Sequence, residues 1–85
     1  MYQVLNQEVN ILSFAFTKGK KTRCVPTRIE VGNTQLEFIE SGLRCLVKSG
    51  QKISEIFTMS DGQHQYRLKF EPQNRSWTLL TKQSV

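Results

Sequence analysis

Apolar and polar positions alternate with a period of two through the second half of the chain. Ile53, Glu55, Phe57 and Met59 take turns with Ser54, Ile56 and Thr58, and Tyr66, Leu68 and Phe70 take turns with Arg67, Lys69 and Glu71. Such a period lays an apolar row on one side of an extended strand and a polar row on the other. Asp61-Gly62 separates the two runs. An Asp-Gly pair supplies the positive φ angles of a type I′ turn, so the spacing predicts a β-hairpin. Trp77 and Leu79 share one face of a last strand, beyond a turn at Glu71-Pro72-Gln73-Asn74.

The first half is read the same way. Leu12, Phe14 and Phe16 fall together on one strand, and Val25, Ile29 and Val31 share a face of the next, opposite Arg28 and Glu30. Pro26 has no N–H for a ladder, which predicts an edge strand or a bulge around it. Residues 34–48 admit two readings. Thr34-Gln35-Leu36-Glu37 is a capping box, and Leu36, Ile39, Leu43 and Leu46 stand at helical spacing. Two strands broken at Ser41-Gly42 account for the same residues, and Gly42 in mid-helix costs about 1 kcal/mol relative to Ala. The strand reading is preferred. Residues 1–8 fit a short helix or an extended arm equally.

Turn residues recur at Lys18-Gly19-Lys20, Gly32-Asn33, Ser41-Gly42, Ser49-Gly50, Asp61-Gly62 and Pro72 to Asn74. Short runs between regular turns predict an all-β fold, a small antiparallel meander or barrel of about six or seven strands. The alternative is α+β with one helix near 34–48. The length of 85 residues fits one domain, 1–85. A chain of this size buries about 60–65% of its unfolded surface, too little for a deep active site, which favours a binding module over an enzyme. No basic start followed by an apolar run is found, and Ile11 to Phe16 is too short to cross a bilayer, so a cytoplasmic protein without membrane contact is expected.

Twelve Lys and Arg oppose seven Asp and Glu, a net charge of +5. An excess of this sign suits nucleic acid or an acidic protein surface. Lys18, Lys20, Lys21 and Arg23 cluster in one loop, and Arg67 and Lys69 share the polar face of their strand, with Arg44 and Lys48 as further members on theirs. Lys18, Lys20, Lys21, Arg23, Arg67 and Lys69 are the candidate nucleic-acid-binding residues, acting on phosphates of DNA or RNA. The rings of Phe14, Phe16, Phe38, Phe57, Tyr66, Phe70 and Trp77 occupy apolar positions and read as core, which leaves no platform for stacking bases. The alternative is a protein-interaction module, a homodimer joined at an edge strand near Pro26 or at the C-terminal strand.

Catalytic chemistry finds no motif. Phosphate loops, nucleophile elbows and paired catalytic carboxylates are missing from the sequence. His64 follows the Asp61-Gly62 turn and reads as a solvated hairpin residue. Cys24, Cys45 and His64 stand singly, without the paired spacing of a zinc site, so no metal and no cofactor is expected. Alternation places Cys45 toward the core and Cys24 on the Arg28 face, which predicts free thiols.

The order of these features resembles a group of small uncharacterised bacterial β-domains. The shared series is Pro26 and Arg28, a Gly turn, Phe57 ahead of Asp61-Gly62, Tyr66-Arg67-Leu68, and Trp77-Thr78-Leu79. The Gly-Arg-x-Tyr element of that group is replaced by Gly32-Asn33-Thr34-Gln35. The resemblance covers residues 14–80 and implies a fold without a function.

Overall fold

The alternating runs fold as strands, and so does the ambiguous middle. The computed structural model describes residues 2–17 and 23–84, which form seven strands and no helix. They are β1 (Tyr2–Thr17), β2 (Arg23–Val31), β3 (Thr34–Glu37), β4 (Glu40–Ser49), β5 (Lys52–Ser60), β6 (His64–Glu71) and β7 (Ser76–Ser84). All pair antiparallel in one sheet, in the order β3-β2-β1-β7-β6-β5-β4, and the sheet curls into a half-barrel.

The curl is set largely by β1. Its first half, Tyr2 to Val9, pairs with β7, and its second half, Asn10 to Thr17, pairs with β2. The ladder shifts between Val4 and Gln7, where Asn6 sits at φ 47°, and again between Ile11 and Phe14. An extra residue bends a strand and sharpens its twist, and Asn tolerates the left-handed region better than most side chains. Pro26 stands at the second shift, where pairing steps from Ser13↔Arg28 to Phe14↔Pro26. A bulge therefore absorbs its missing donor.

The two edge strands, β3 and β4, follow one another in the chain. The step between them falls at Phe38 and Ile39, earlier than Ser41-Gly42. Phe38 donates its N–H to the Thr27 carbonyl and Ile39 to the Ser60 carbonyl, each at 2.8 Å, so the backbone straps one end of the half-barrel. Burial decides the position of this break. The Phe38 ring turns inward onto Tyr66, with centroids 5.5 Å apart. Gly42 instead sits within β4 at a ladder shift, where an added Cβ would lie 3.5 Å from the Thr58 carbonyl oxygen. Glu37 caps no helix; its carboxylate takes the Arg28 guanidinium at 3.1 Å across β2 and β3.

The β5–β6 hairpin forms where predicted but with a longer loop. Asp61 keeps a negative φ and only Gly62 is positive, at 96°, so the turn is not type I′. The Asp61 carboxylate explains the change. Its Oδ1 accepts the N–H groups of Gln63 (2.9 Å) and His64 (2.7 Å), replacing the backbone bonds of a tighter turn. The core gathers on the concave side: Val9, Ile29, Phe38, Phe57, Met59, Tyr66, Leu68 and Leu79 are all buried.

Candidate binding cleft

Strand alternation carries the aromatic residues to one end of the concave face. Phe70 faces Trp77 across β6 and β7, and Phe57 follows on β5 in the same row as Leu68. Trp77 is the hub. Its ring centroid lies 4.7 Å from Phe70, 5.4 Å from Phe57 and 6.2 Å from Phe14 of β1, all tilted. Among the described residues no second layer covers them. The rings therefore line an open cleft of about 500 Å³, completed by Glu55, Pro72 and Arg75. A smaller cleft of about 340 Å³ lies against three of the same residues, Phe14, Arg75 and Trp77, and adds Glu8, Asn10 and Asn74.

The rings are not all core, contrary to the expectation from alternation. Phe38, Phe57 and Tyr66 are buried, Phe70 and Trp77 are half-buried, but Phe14 is 45% and Phe16 71% exposed. Val25, Pro26 and Ile29 of β2 are buried and Ala15 of β1 packs against the core, while Phe14 and Phe16, which alternate with Ala15, stay exposed. Phe14 and Phe16 share a face of β1, since no ladder shift separates them. Strand rise sets them about 7 Å apart. The row Trp77, Phe14, Phe16 then points along β1 toward residues 18–22.

Charges at the cleft are unequal in their freedom. Glu55 is held twice by Arg44, each contact at 3.0 Å, and the same guanidinium lies 5.9 Å from the Phe57 ring centroid. That pair spends its hydrogen bonds on itself rather than on a ligand. Arg75 makes no ion pair among the described residues. It is also one of the few non-glycine residues at positive φ, 55°, on the turn that Asn74 closes by accepting the Ser76 N–H and hydroxyl. A left-handed Arg costs about 1–2 kcal/mol relative to relaxed backbone.

The predicted basic residues separate. Arg67 and Lys69 do share a face, but it is the convex one, away from the aromatic cleft, with Thr58 and Ile56 beside them on β5. Arg67 is exposed, whereas Lys69 is engaged by Glu71 at 3.0 Å. Arg44 and Lys48 do not join that face; Arg44 lies opposite Phe57, on the concave side. Lys18, Lys20 and Lys21 lie outside the described residues, and Arg23 opens β2 opposite Thr17. Cys45 is free and exposed rather than turned to the core, because the convex face of β4 is bare. The sequence reading missed Arg75 and the exposure of Phe14. The available signals were an Arg two places before Trp77, and Phe14 and Phe16 running straight into Lys18.

A second group of polar residues surrounds the β5–β6 turn. The Tyr66 hydroxyl donates to Asp61 Oδ2 at 3.1 Å, and His64 Nδ1 lies 3.8 Å from the same oxygen. Burial, then the bond to Asp61, pushes the Tyr66 hydroxyl up to about 12. Burial raises the Asp61 carboxyl, but its bonds from Gln63, His64 and Tyr66 outweigh that and hold it below its ordinary value. Both Asp61 carboxylate oxygens and the Tyr66 hydroxyl are engaged within the turn. Among the described residues no three of His, Cys, Asp and Glu come together as metal ligands, and no helix is long and apolar enough to cross a membrane. Comparisons with family models, with curated proteins and with solved structures gave no match to this chain.

Proposed function

We propose that the protein binds single-stranded nucleic acid without reading its sequence, in the cytoplasm and without catalysing a reaction. The observation that carries the reading is the half-open aromatic cleft at Trp77, rimmed by Arg75 and continued by Phe14 and Phe16 into a basic segment. Bases of a single strand stack on such rings, each worth about 1–3 kcal/mol, and the stacking is indifferent to base identity. Phosphates are taken by Lys18, Lys20, Lys21 and Arg23 and by Arg75. Arg67 and Lys69, on the convex face, add to the long-range field rather than to the stacking site.

Trp77 is the only tryptophan, so its fluorescence reports on the cleft directly. Titration with oligo-dT at low salt is expected to quench it, while a duplex of equal length, its bases already stacked, quenches far less. Affinity falls linearly on a log–log plot against salt, and Lys20→Glu with Lys21→Glu flattens the slope. Arg75→Gly separates binding from folding: it relieves the left-handed backbone, stabilising the fold by up to about 1 kcal/mol, yet weakens binding. Unquenched Trp77 at low salt with excess oligo-dT sinks the reading.

A further inference from the structure

The sheet ends in two unlike edges. β3 is four residues long and carries the Arg28–Glu37 pair beside it, the short and charged kind of edge that resists pairing. β4 is ten residues long, and every side chain described on it is exposed. Leu46 is 67% and Val47 48% exposed, with Ile53 next to them on β5. A long strand with a bare edge and apolar side chains is a template for another strand.

We propose that β4 pairs antiparallel with β4 of a second copy, joining two half-barrels into one continuous sheet. Hydrogen-bond parity and charge select one register for this contact. β4 and β5 are joined by the two-residue loop Gly50-Gln51, so Ser49, Val47 and Cys45 exchange backbone bonds with β5. The N–H and C=O groups of Arg44, Leu46 and Lys48 then point to the free edge. A two-fold pairing must match these residues with one another. A register centred on Arg44 sets two Arg44 side chains face to face. One centred on Leu46 sets Arg44 against Lys48. The register between them, centred on Cys45, sets Arg44 against Leu46 from both sides and opposes no like charges. Sliding on to a register centred on Val47 shortens the overlap to residues 45–49, whereas the Cys45 register overlaps residues 41–49 and carries the ladder shift between Ser41 and Arg44 toward its ends.

This self-complementarity is the reason the occupant is a second copy rather than a foreign strand. In the selected register the two Cys45 residues form a non-hydrogen-bonded pair, with Cα atoms about 4.5 Å apart. That distance lies within the range a disulfide spans. The contact is small, on the order of the weak interfaces below about 1,200 Å², so the dimer forms and dissociates with concentration. The proposal does not depend on nucleic-acid binding.

Sedimentation of the reduced protein between micromolar and millimolar concentration is expected to show the mass rise from 9.9 kDa toward twice that value. In a Cys24→Ser background, diamide is expected to trap the dimer through Cys45, and Cys45→Ser abolishes the cross-link. Cys45→Lys, at an exposed position, sets two ammonium groups opposite each other and raises the dissociation constant at least tenfold, with an unchanged far-ultraviolet spectrum. A monomer throughout the concentration range overturns the proposal. So does a dimer that diamide cannot link through Cys45, or one indifferent to Cys45→Lys.

Discussion

At the scale of residues, Asp61 and Tyr66 tie one turn to the pH range of the fold. Asp61 titrates below its ordinary value, so its charged form stabilises the native state above about pH 4 and that contribution fades as the pH falls through its lowered value. Tyr66 titrates above its ordinary value, so its contribution is complete below about pH 10 and is lost as the pH rises through about 12. Stability is therefore expected to show a plateau between those limits. In Tyr2→Phe, where Tyr66 is the only tyrosine, absorbance at the phenolate band should rise with a midpoint near 12. A midpoint at 10 would show that the Asp61 bond and the burial are not present in solution. The role of Asp61 as a turn residue was legible from Asp61-Gly62 alone. Its grip on Tyr66, five residues on, was not, because the wider loop that permits it is set by the carboxylate itself.

At the scale of elements, the strand pattern from Lys52 to Ser84 could be read directly, since Tyr66, Leu68 and Phe70 alternate without interruption. It failed where the ladder is broken. Residues 2–8 carry Gln3, Asn6, Gln7 and Glu8 and show no period, because Asn6 shifts the ladder in mid-strand. The break between β3 and β4 falls at Phe38 and Ile39 rather than at Ser41-Gly42, because the Phe38 ring is buried and Gly42 sits at a ladder shift inside β4. Phe38 is the residue that makes the step. Phe38→Ala is expected to cost about 3–5 kcal/mol in urea unfolding, whereas Ile39→Ala, at an exposed side chain, stays within about 0.5 kcal/mol. Equal losses at the two positions would contradict the strap.

At the scale of the whole molecule, the described strands form one curled layer, and that one fact separates what was legible from what was not. A closed barrel or a sandwich would have buried Phe14, Phe16 and Cys45, as their alternation suggested. A single curled sheet buries only what lies deep in its concavity, and no local pattern announces how many layers a fold has. The charged residues suffer the same uncertainty. Arg67 and Lys69 were rightly assigned to a common face, but which side of the sheet they share depends on where the curl turns.

The pairing of β1 with β7 has a kinetic consequence. The two strands nearest the ends of the described chain lie side by side, Tyr2 opposite Gln83 and Val9 opposite Trp77. Contacts that remote in sequence are closed at a high entropic cost, and all-β folds dominated by them form in about milliseconds to seconds. Trp77 meets Phe14 only once that closure is made. Stopped-flow refolding should therefore give Trp77 its native emission in the slowest phase, and native emission gained in an earlier phase would contradict the topology. An occupant of the cleft, in turn, recognises only chains that have finished folding. It withdraws them from the unfolding equilibrium and raises the melting temperature in proportion to the logarithm of its concentration.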